Sequence, residues 1–479
     1  MKKKILSLIM MLFLAFTITL TGCAEKGLDN NPPLEAMVTS NGGTSVIKGD
    51  YLYFVNGYVE TDNLNKNDNK AGQVTKGAIY RTKLDDNEIV KDKDGFLLND
   101  RTDIVVSKVV GFNKGGFYII DNSIIYATPY MKLSQSGEKQ TSRVEFHRVD
   151  IDGTDDEVLF VTSGTLTEWT VNKVGKTPYI VLYENDKLVS INVNTGKTVG
   201  TVNNTTSYQI LKETEYNYNA KRTSLTQTKV IYTRAITSAD QKFNYSGNVI
   251  CAFDIATGKT EVLEISETNT YSIKNVTSDA IYYTYTSTNK PTECLYKKVI
   301  SDTEWKFATE VQLTTRSFDS YIFVDYGNDL IIATGDSTVW RLEGGKEGSL
   351  DVLLSTEKTI LRVFGNYAYY ADDNKLFRVN INDDVHEIEN VYPEDKPSYL
   401  AFSNLIDFDN RRIFLYSSYI SEEDGDTNYY LNYFDESCTE DNFKQRFVGV
   451  FESGDLPEKP EQPEPEYEGD EVEYVPHID

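Results

Sequence analysis

One phrase recurs along the chain and limits its fold more than any other feature. A short strand rich in Tyr and Ile is followed, after a variable polar gap, by a second strand ending in a turn. A third strand carrying Val, Leu or Phe comes next. The clearest copy reads Tyr-Ala-Tyr-Tyr at 367–370, Lys-Leu-Phe-Arg-Val-Asn-Ile at 375–381 and Val-His-Glu-Ile at 385–388. The first strand returns at 51–54, 124–126, 179–183, 230–232, 281–283, 330–332 and 413–416. The second returns at 78–81, 145–149, 187–191, 251–255, 295–298, 339–342 and 430–433. A further strand precedes the Tyr-rich one, as at 360–364 before Gly365 and Asn366, so each unit carries four strands. Four strands at a period of roughly 40 to 55 residues match propeller blades, whose radial packing buries sheet faces that no blade could bury alone. The expected fold is all-β, a β-propeller of four-stranded blades over residues 44–453. Eight blades are favoured, with seven as the alternative because the first unit carries a long polar insertion at 60–76. Two consecutive sandwiches would not repeat one strand order at this period. The 33 Tyr, with abundant Asn, Thr and Ile, favour strands over helices.

Turn chemistry follows the second strand. Asp-Gly at 152–153 and Thr-Gly-Lys at 195–197 and 257–259 supply residues that tolerate positive φ in tight hairpins. The strand and turn Phe-His-Arg-Val-Asp-Ile-Asp-Gly at 146–153, with the aromatic strand at 367–370, resemble a bacterial propeller family similar to the propeller of the low-density-lipoprotein-receptor-related protein. They resemble the TolB-like propellers more loosely. The resemblance implies a fold and brings no catalytic residues; most copies here lack the turn Gly.

At the N-terminus Lys2, Lys3 and Lys4 precede an apolar run from Ile5 to Leu20 broken only by Ser7, Thr17 and Thr19, the layout of a secretory signal peptide. A membrane span needs about 20 predominantly apolar residues, so this run is short for one. Leu20, Thr21, Gly22 and Cys23 resemble the lipobox of bacterial lipoproteins, which implies cleavage before Cys23 and diacylglycerol on its thiol. Each buried methylene contributes ~0.8 kcal/mol, and two or more chains hold a protein firmly. The expected order is signal peptide at 1–22, lipidated Cys23 with a flexible spacer to 43, propeller at 44–453, and an acidic Pro- and Glu-rich disordered tail at 454–479. The expected location is the extracytoplasmic face of the cell membrane.

Charge excludes one class of partner. The net charge is −26, with basic residues dispersed among more numerous acids, which argues against nucleic acid. With Cys23 used by lipid, Cys251, Cys294 and Cys438 remain; an odd number leaves at least one free thiol, buried as a small hydrophobe, and a Cys251–Cys294 bridge stays open. The only histidines are His147, His386 and His477, too few and too scattered for a multi-His metal site or a hydrolytic triad; His147 reads as a surface residue. Two acidic loops have oxygen ligands for Ca²⁺: Asp150, Asp152, Asp155 and Asp156 around Gly153, and Glu422, Glu423, Asp424 and Asp426 around Gly425. Hairpin geometry explains the first equally well, so no cofactor is assigned and Ca²⁺ is the single candidate. Trp169, Trp305, Trp340 or surface Tyr are candidates for a platform on which sugar or peptide stacks, with blade packing the simpler role. No catalytic residue stands out. The expected function is a non-enzymatic, lipid-anchored propeller that binds an envelope protein or glycan through one rim. The rival is an envelope polysaccharide enzyme using carboxylates or Ca²⁺ at the pore mouth.

Overall fold

A computed structural model describes residues 27–39, 41–55, 77–84, 102–110, 116–130, 143–210, 228–277, 280–287, 294–300, 307–316, 318–326, 329–343, 350–355, 358, 360–372, 375–382, 387–391, 406–409, 412–420, 427–435 and 444–451. Among them the regular elements are strands, apart from a 3-10 turn at Ser238–Asp240. The strands form eight antiparallel sheets, at 38–106, 117–161, 166–202, 205–265, 269–312, 321–355, 362–390 and 406–451, each running through its strands in sequence order. In the seven four-stranded sheets the Tyr-rich phrase is the second strand and the phrase ending in a turn the third. Thr177–Glu184 and Lys187–Asn192 are one such pair.

The expectation of eight alike is corrected at the N-terminal sheet. Seven four-stranded blades are present, the alternative count, and the first sheet has five strands. Its extra strand is Val38–Thr39, paired with Lys48 and Ile47. This segment was expected to be spacer, yet residues from Gly27 onward are docked on the first two sheets. Leu28 and Val38 pack against the apolar cluster of the first two sheets, and polar contacts complete the docking. Leu28 N–H donates to Asp152 O at 2.9 Å. Arg81, 1% exposed, donates to Asp29 O at 2.6 Å, to Asp103 at 3.0 Å and to the Asn31 side chain. Lys48 Nζ donates to Leu34 O and Asp121 O at 3.0 and 2.8 Å. Burial pushes the Lys48 ammonium below its ordinary value, against the opposing pull of Asp121 and Glu35.

Radial packing is visible in how the core divides. One apolar cluster joins Tyr53 and Ile79 of the first sheet to Phe117 and Tyr126 of the second. Another joins Phe146 of the second to Val171 and Leu182 of the third. Further clusters join the third sheet to the fourth, the fourth to the fifth, the fifth to the sixth and the sixth to the seventh. Both faces of a blade are therefore buried, and side chains such as Tyr126, Phe146 and Phe253, fully enclosed, contribute about 1.5–3 kcal/mol each. First strands of neighbouring sheets lie innermost against each other. Gly42 N–H donates to Phe117 O at 2.9 Å, and Ile273 N–H donates to Ser207 Oγ at 3.0 Å.

Along the outer edge, seven of the eight sheets carry a register shift where the last two strands meet, for example between Phe146 and His147 and between Ile250 and Cys251. Bulges sharpen strand twist. Antiparallel order gives the molecule two ends. Turns joining first to second and third to fourth strands lie at one end, the turn face; connections from second to third strands and between sheets lie at the other, the loop face.

Candidate functional site

On the loop face, the fourth sheet carries a well-tied loop at 236–247, between Lys229–Ala235 and Asn248–Asp254. It begins with the short 3-10 turn. There Asp240 Oδ2 accepts from Thr237 N–H at 2.7 Å and from its hydroxyl at 3.0 Å. Arg234 grips the same carboxylate in bidentate fashion, both contacts at 2.8 Å. This Arg234 contact first, and the Thr237 hydrogen bonds after it, hold the Asp240 carboxyl far below the usual range against the effect of burial. Farther along, Glu267 Oε2 accepts from Asn244 N–H at 3.0 Å and Phe243 N–H at 3.3 Å. Asn244 Oδ1 accepts from Ser246 N–H and Oγ, and Ser246 Oγ also reaches Glu267 O at 3.1 Å.

These bonds hold an apolar side chain in water. Phe243 is 99% exposed and Tyr245 53%. A fully exposed Phe on a loop whose backbone is hydrogen-bonded on both sides of it is the geometry of a preorganised contact residue. Phe243 was not among the aromatic candidates of the sequence. A lone aromatic pair inside the polar run Ser-Ala-Asp-Gln-Lys-Phe-Asn-Tyr-Ser-Gly at 238–247, between two strand phrases, is the signal that marks it.

The expected sites fall elsewhere. His147 is not on the surface: it is 1% exposed, stacked on Tyr126 at 5.0 Å between ring centres. Because each blade is covered on both faces, the exposed neighbours that strand alternation implies do not exist. Its Nδ1 lies 2.9 Å from Asp156 and its Nε2 2.8 Å from Glu145. Tyr126 Oη donates to Asp156 at 3.0 Å, and Lys108 from the connection after the first sheet also pairs with Asp156. Burial alone would raise the Asp156 carboxyl, but hydrogen bonds from His147 and Lys108, with Tyr126 adding to them, hold it at about 2. Burial, reinforced by Asp156, pushes the Tyr126 hydroxyl well above its ordinary value. With both ring nitrogens facing carboxylates and no solvent access, His147 ties together the strands of the second sheet, and Asp156 links that cluster to Lys108 from the connection that precedes it.

The first acidic loop spends its carboxylates locally. Asp152 Oδ1 accepts from Thr154 N–H and Oγ1 at 3.0 and 2.7 Å, and Asp156 belongs to the His147 cluster. Burial first, then the nearby Asp152 and Asp155 charges, raises the Asp150 carboxyl. Among the described residues no group of three or more His, Cys, Asp or Glu is arranged to hold a metal ion. The second loop, 422–426, lies outside the described residues, as do Cys23, Trp305, His386, Cys438 and His477. Trp169 packs edge-on against Tyr118 and Phe146 at 5.1 and 5.0 Å, and Trp340 donates to Thr334 Oγ1 at 3.2 Å; both serve blade packing. Cys251 and Cys294 are free, buried thiols in separate clusters, so no bridge joins them.

A second recurring device was also missed. A basic residue on the next-to-last strand of a sheet lies over an aromatic ring of the strand before it and pairs with an acid of the last strand. Arg81 sits over Tyr51 and bonds Asp103, and Arg378 sits over Tyr367, 3.9 Å from the ring centre, and bonds Glu389 at 2.7 Å. Its signal is the Arg that follows the aromatic residue in the phrases at 78–81 and 375–381.

No protein-family model matches the chain, and no curated protein matches it. Solved structures similar to it include a prolyl endopeptidase, with TM-score 0.44 and 14% identity over 70% of this chain and 48% of that one. The chain thus spans about half the length of that enzyme. A computationally designed protein, Ika8, gives 0.39 with 11% identity over 71% of this chain and 86% of its own. TolB from Acinetobacter baumannii gives 0.29 with 11% identity over 56% and 65%. The propeller itself is seen in the sheet order and the clusters between sheets. Among the described residues no helix is long and apolar enough to cross a membrane.

Proposed function

We propose that the protein is a non-enzymatic, lipid-anchored propeller of the bacterial cell envelope, held by acyl chains on Cys23, that binds an envelope protein through its loop face. The observation that carries the binding role is Phe243, held in solvent by the Asp240 and Glu267 hydrogen bonds. Keeping a large apolar side chain in water has no folding benefit, whereas a partner pocket that encloses it gains its full burial. A protein is favoured over a glycan because Phe lacks the polar edge with which Tyr and Trp engage sugar hydroxyls. The lipobox residues support the anchor.

Photocrosslinking on intact cells, with a photoreactive residue at Lys242 and mass spectrometry of the adducts, tests this. Capture of a discrete envelope protein is expected, weakened about tenfold or more by Phe243→Ala, as for a central contact residue. Adducts unchanged by Phe243→Ala, or turnover of a cell-wall glycan by the purified protein, would sink the reading.

A further inference from the structure

The docked N-terminal segment carries information about orientation. Gly27 packs against Asp152, a turn-face residue of the second sheet: a Cβ built on Gly27 would meet the Asp152 carboxylate at 2.2 Å. From there the chain crosses the turn face of the first two sheets. Asn31 Nδ2 donates to Leu28 O at 2.9 Å, Arg81 holds Asp29 and Asn31, and Lys48 holds Leu34. Gly49 N–H donates to Met37 O at 3.1 Å, just before Val38 joins the first sheet. Two of these donors, Arg81 and Lys48, are buried, so releasing the segment would take Asp29 O and the Asn31 side chain from Arg81 and Leu34 O from Lys48, leaving each buried cation with fewer acceptors.

From the docked segment we infer that the turn face of the first two sheets lies against the membrane and that the loop face, with Phe243, points away from it. The inference rests on the lipid reading of Cys23. Gly27 is four residue steps from Cys23, and a chain spans at most about 3.5 Å per residue, so the acylated Cys23 backbone lies within ~14 Å of Gly27 at the Asp152 turn. A folded unit of this length measures roughly 45–50 Å across. A tether so much shorter than the body it holds keeps its attachment edge at the headgroups and leaves little freedom to present the opposite end. The sign of the charge fits a passive contact. Asp29, Glu35, Asp50 and Asp155 are exposed on this face beside Lys83, while Lys48 and Arg81 are buried, so exposed acids outnumber exposed bases there and the lipid supplies the adhesion.

The test uses full-length lipidated protein extracted from expressing cells and returned to phosphatidylcholine vesicles that carry a headgroup nitroxide lipid. Cys438→Ser removes the one thiol whose reactivity is unassigned, while Cys251 and Cys294 are buried. One fluorophore is placed by Asp50→Cys in a turn of the first sheet, or by Thr165→Cys in the connection before the third sheet, on the loop face. Nitroxide quenching several-fold stronger at position 50 than at 165 is expected. Equal or reversed quenching in protein that floats with the vesicles overturns the orientation and leaves the anchor standing. Protein that does not float overturns the anchor, and the orientation with it.

Discussion

At the scale of single residues, buried polar groups hold the blades in shape, and His147 with Asp156 in the second sheet is the best-defined case. The Asp156 carboxyl is held at about 2, below its ordinary value, so it contributes stability above the unfolded-state value near pH 4. That contribution is lost as pH falls through 2, because protonating the carboxyl gives up the Lys108, His147 and Tyr126 contacts. The shift is worth about 2 kcal/mol. Thermal unfolding of the native chain and of Asp156→Asn between pH 6 and pH 2 is expected to show a gap that is full above pH 4 and narrows toward pH 2. A gap constant across that range would mean that Asp156 contributes through packing alone. None of this was legible in the sequence. His147 stands between Phe146 and Arg148 in a strand phrase, and only the covering of both blade faces, with a bulge at that residue, turns an apparent surface histidine into a buried one.

At the scale of elements, the phrase read from sequence corresponds to real strands, and the turn glycines do more than close hairpins. Gly153, Gly196 and Gly258 all have positive φ, as hairpin chemistry predicts. Each also backs onto the last strand of the preceding sheet. A Cβ at these positions would lie 2.9 Å from Val105 O, 2.7 Å from Leu159 O and 2.5 Å from Val199 O. The glycine is thus required twice, once by its own backbone and once by the neighbouring blade. Gly175 separates the two demands, because its φ is +61 while nothing lies within 4 Å of its Cβ position. Gly175→Ala is expected to cost about 1–2 kcal/mol from the left-handed backbone alone. Gly196→Ala adds a collision with backbone that cannot move aside, so its urea midpoint is expected to fall clearly further. Equal shifts would show that contact between blades places no demand on the turn. Strand order and turns were legible because they depend on local periodicity and φ, whereas this contact joins residues that only the ring brings together. The loop bearing Phe243 is marked in the sequence by its aromatic pair, but its fastener is not: Glu267 follows the last strand of the same sheet, and strand pairing brings it back to the loop.

At the scale of the whole molecule, two electrostatic effects compete. The chain carries 74 acidic and 48 basic residues, an excess of negative charge whose mutual repulsion acts over long distances and favours expansion. Against it stand local pairs such as Lys298 with Glu264, which joins the fifth sheet to the fourth at 2.6 Å. Salt distinguishes the two by range. Raising ionic strength from about 0.01 M to about 0.15 M shortens the Debye length from about 30 Å to about 8 Å, which screens repulsion across the molecule far more than contacts inside hydrogen-bond distance. Half-buried pairs are screened least, and exposed ones contribute about 0–1 kcal/mol in any case. The unfolding temperature is therefore expected to rise with NaCl over this range, most steeply at the dilute end. A fall would mean that pairs between blades outweigh the long-range repulsion, and that the acidic surface is tolerated because those pairs compensate for it.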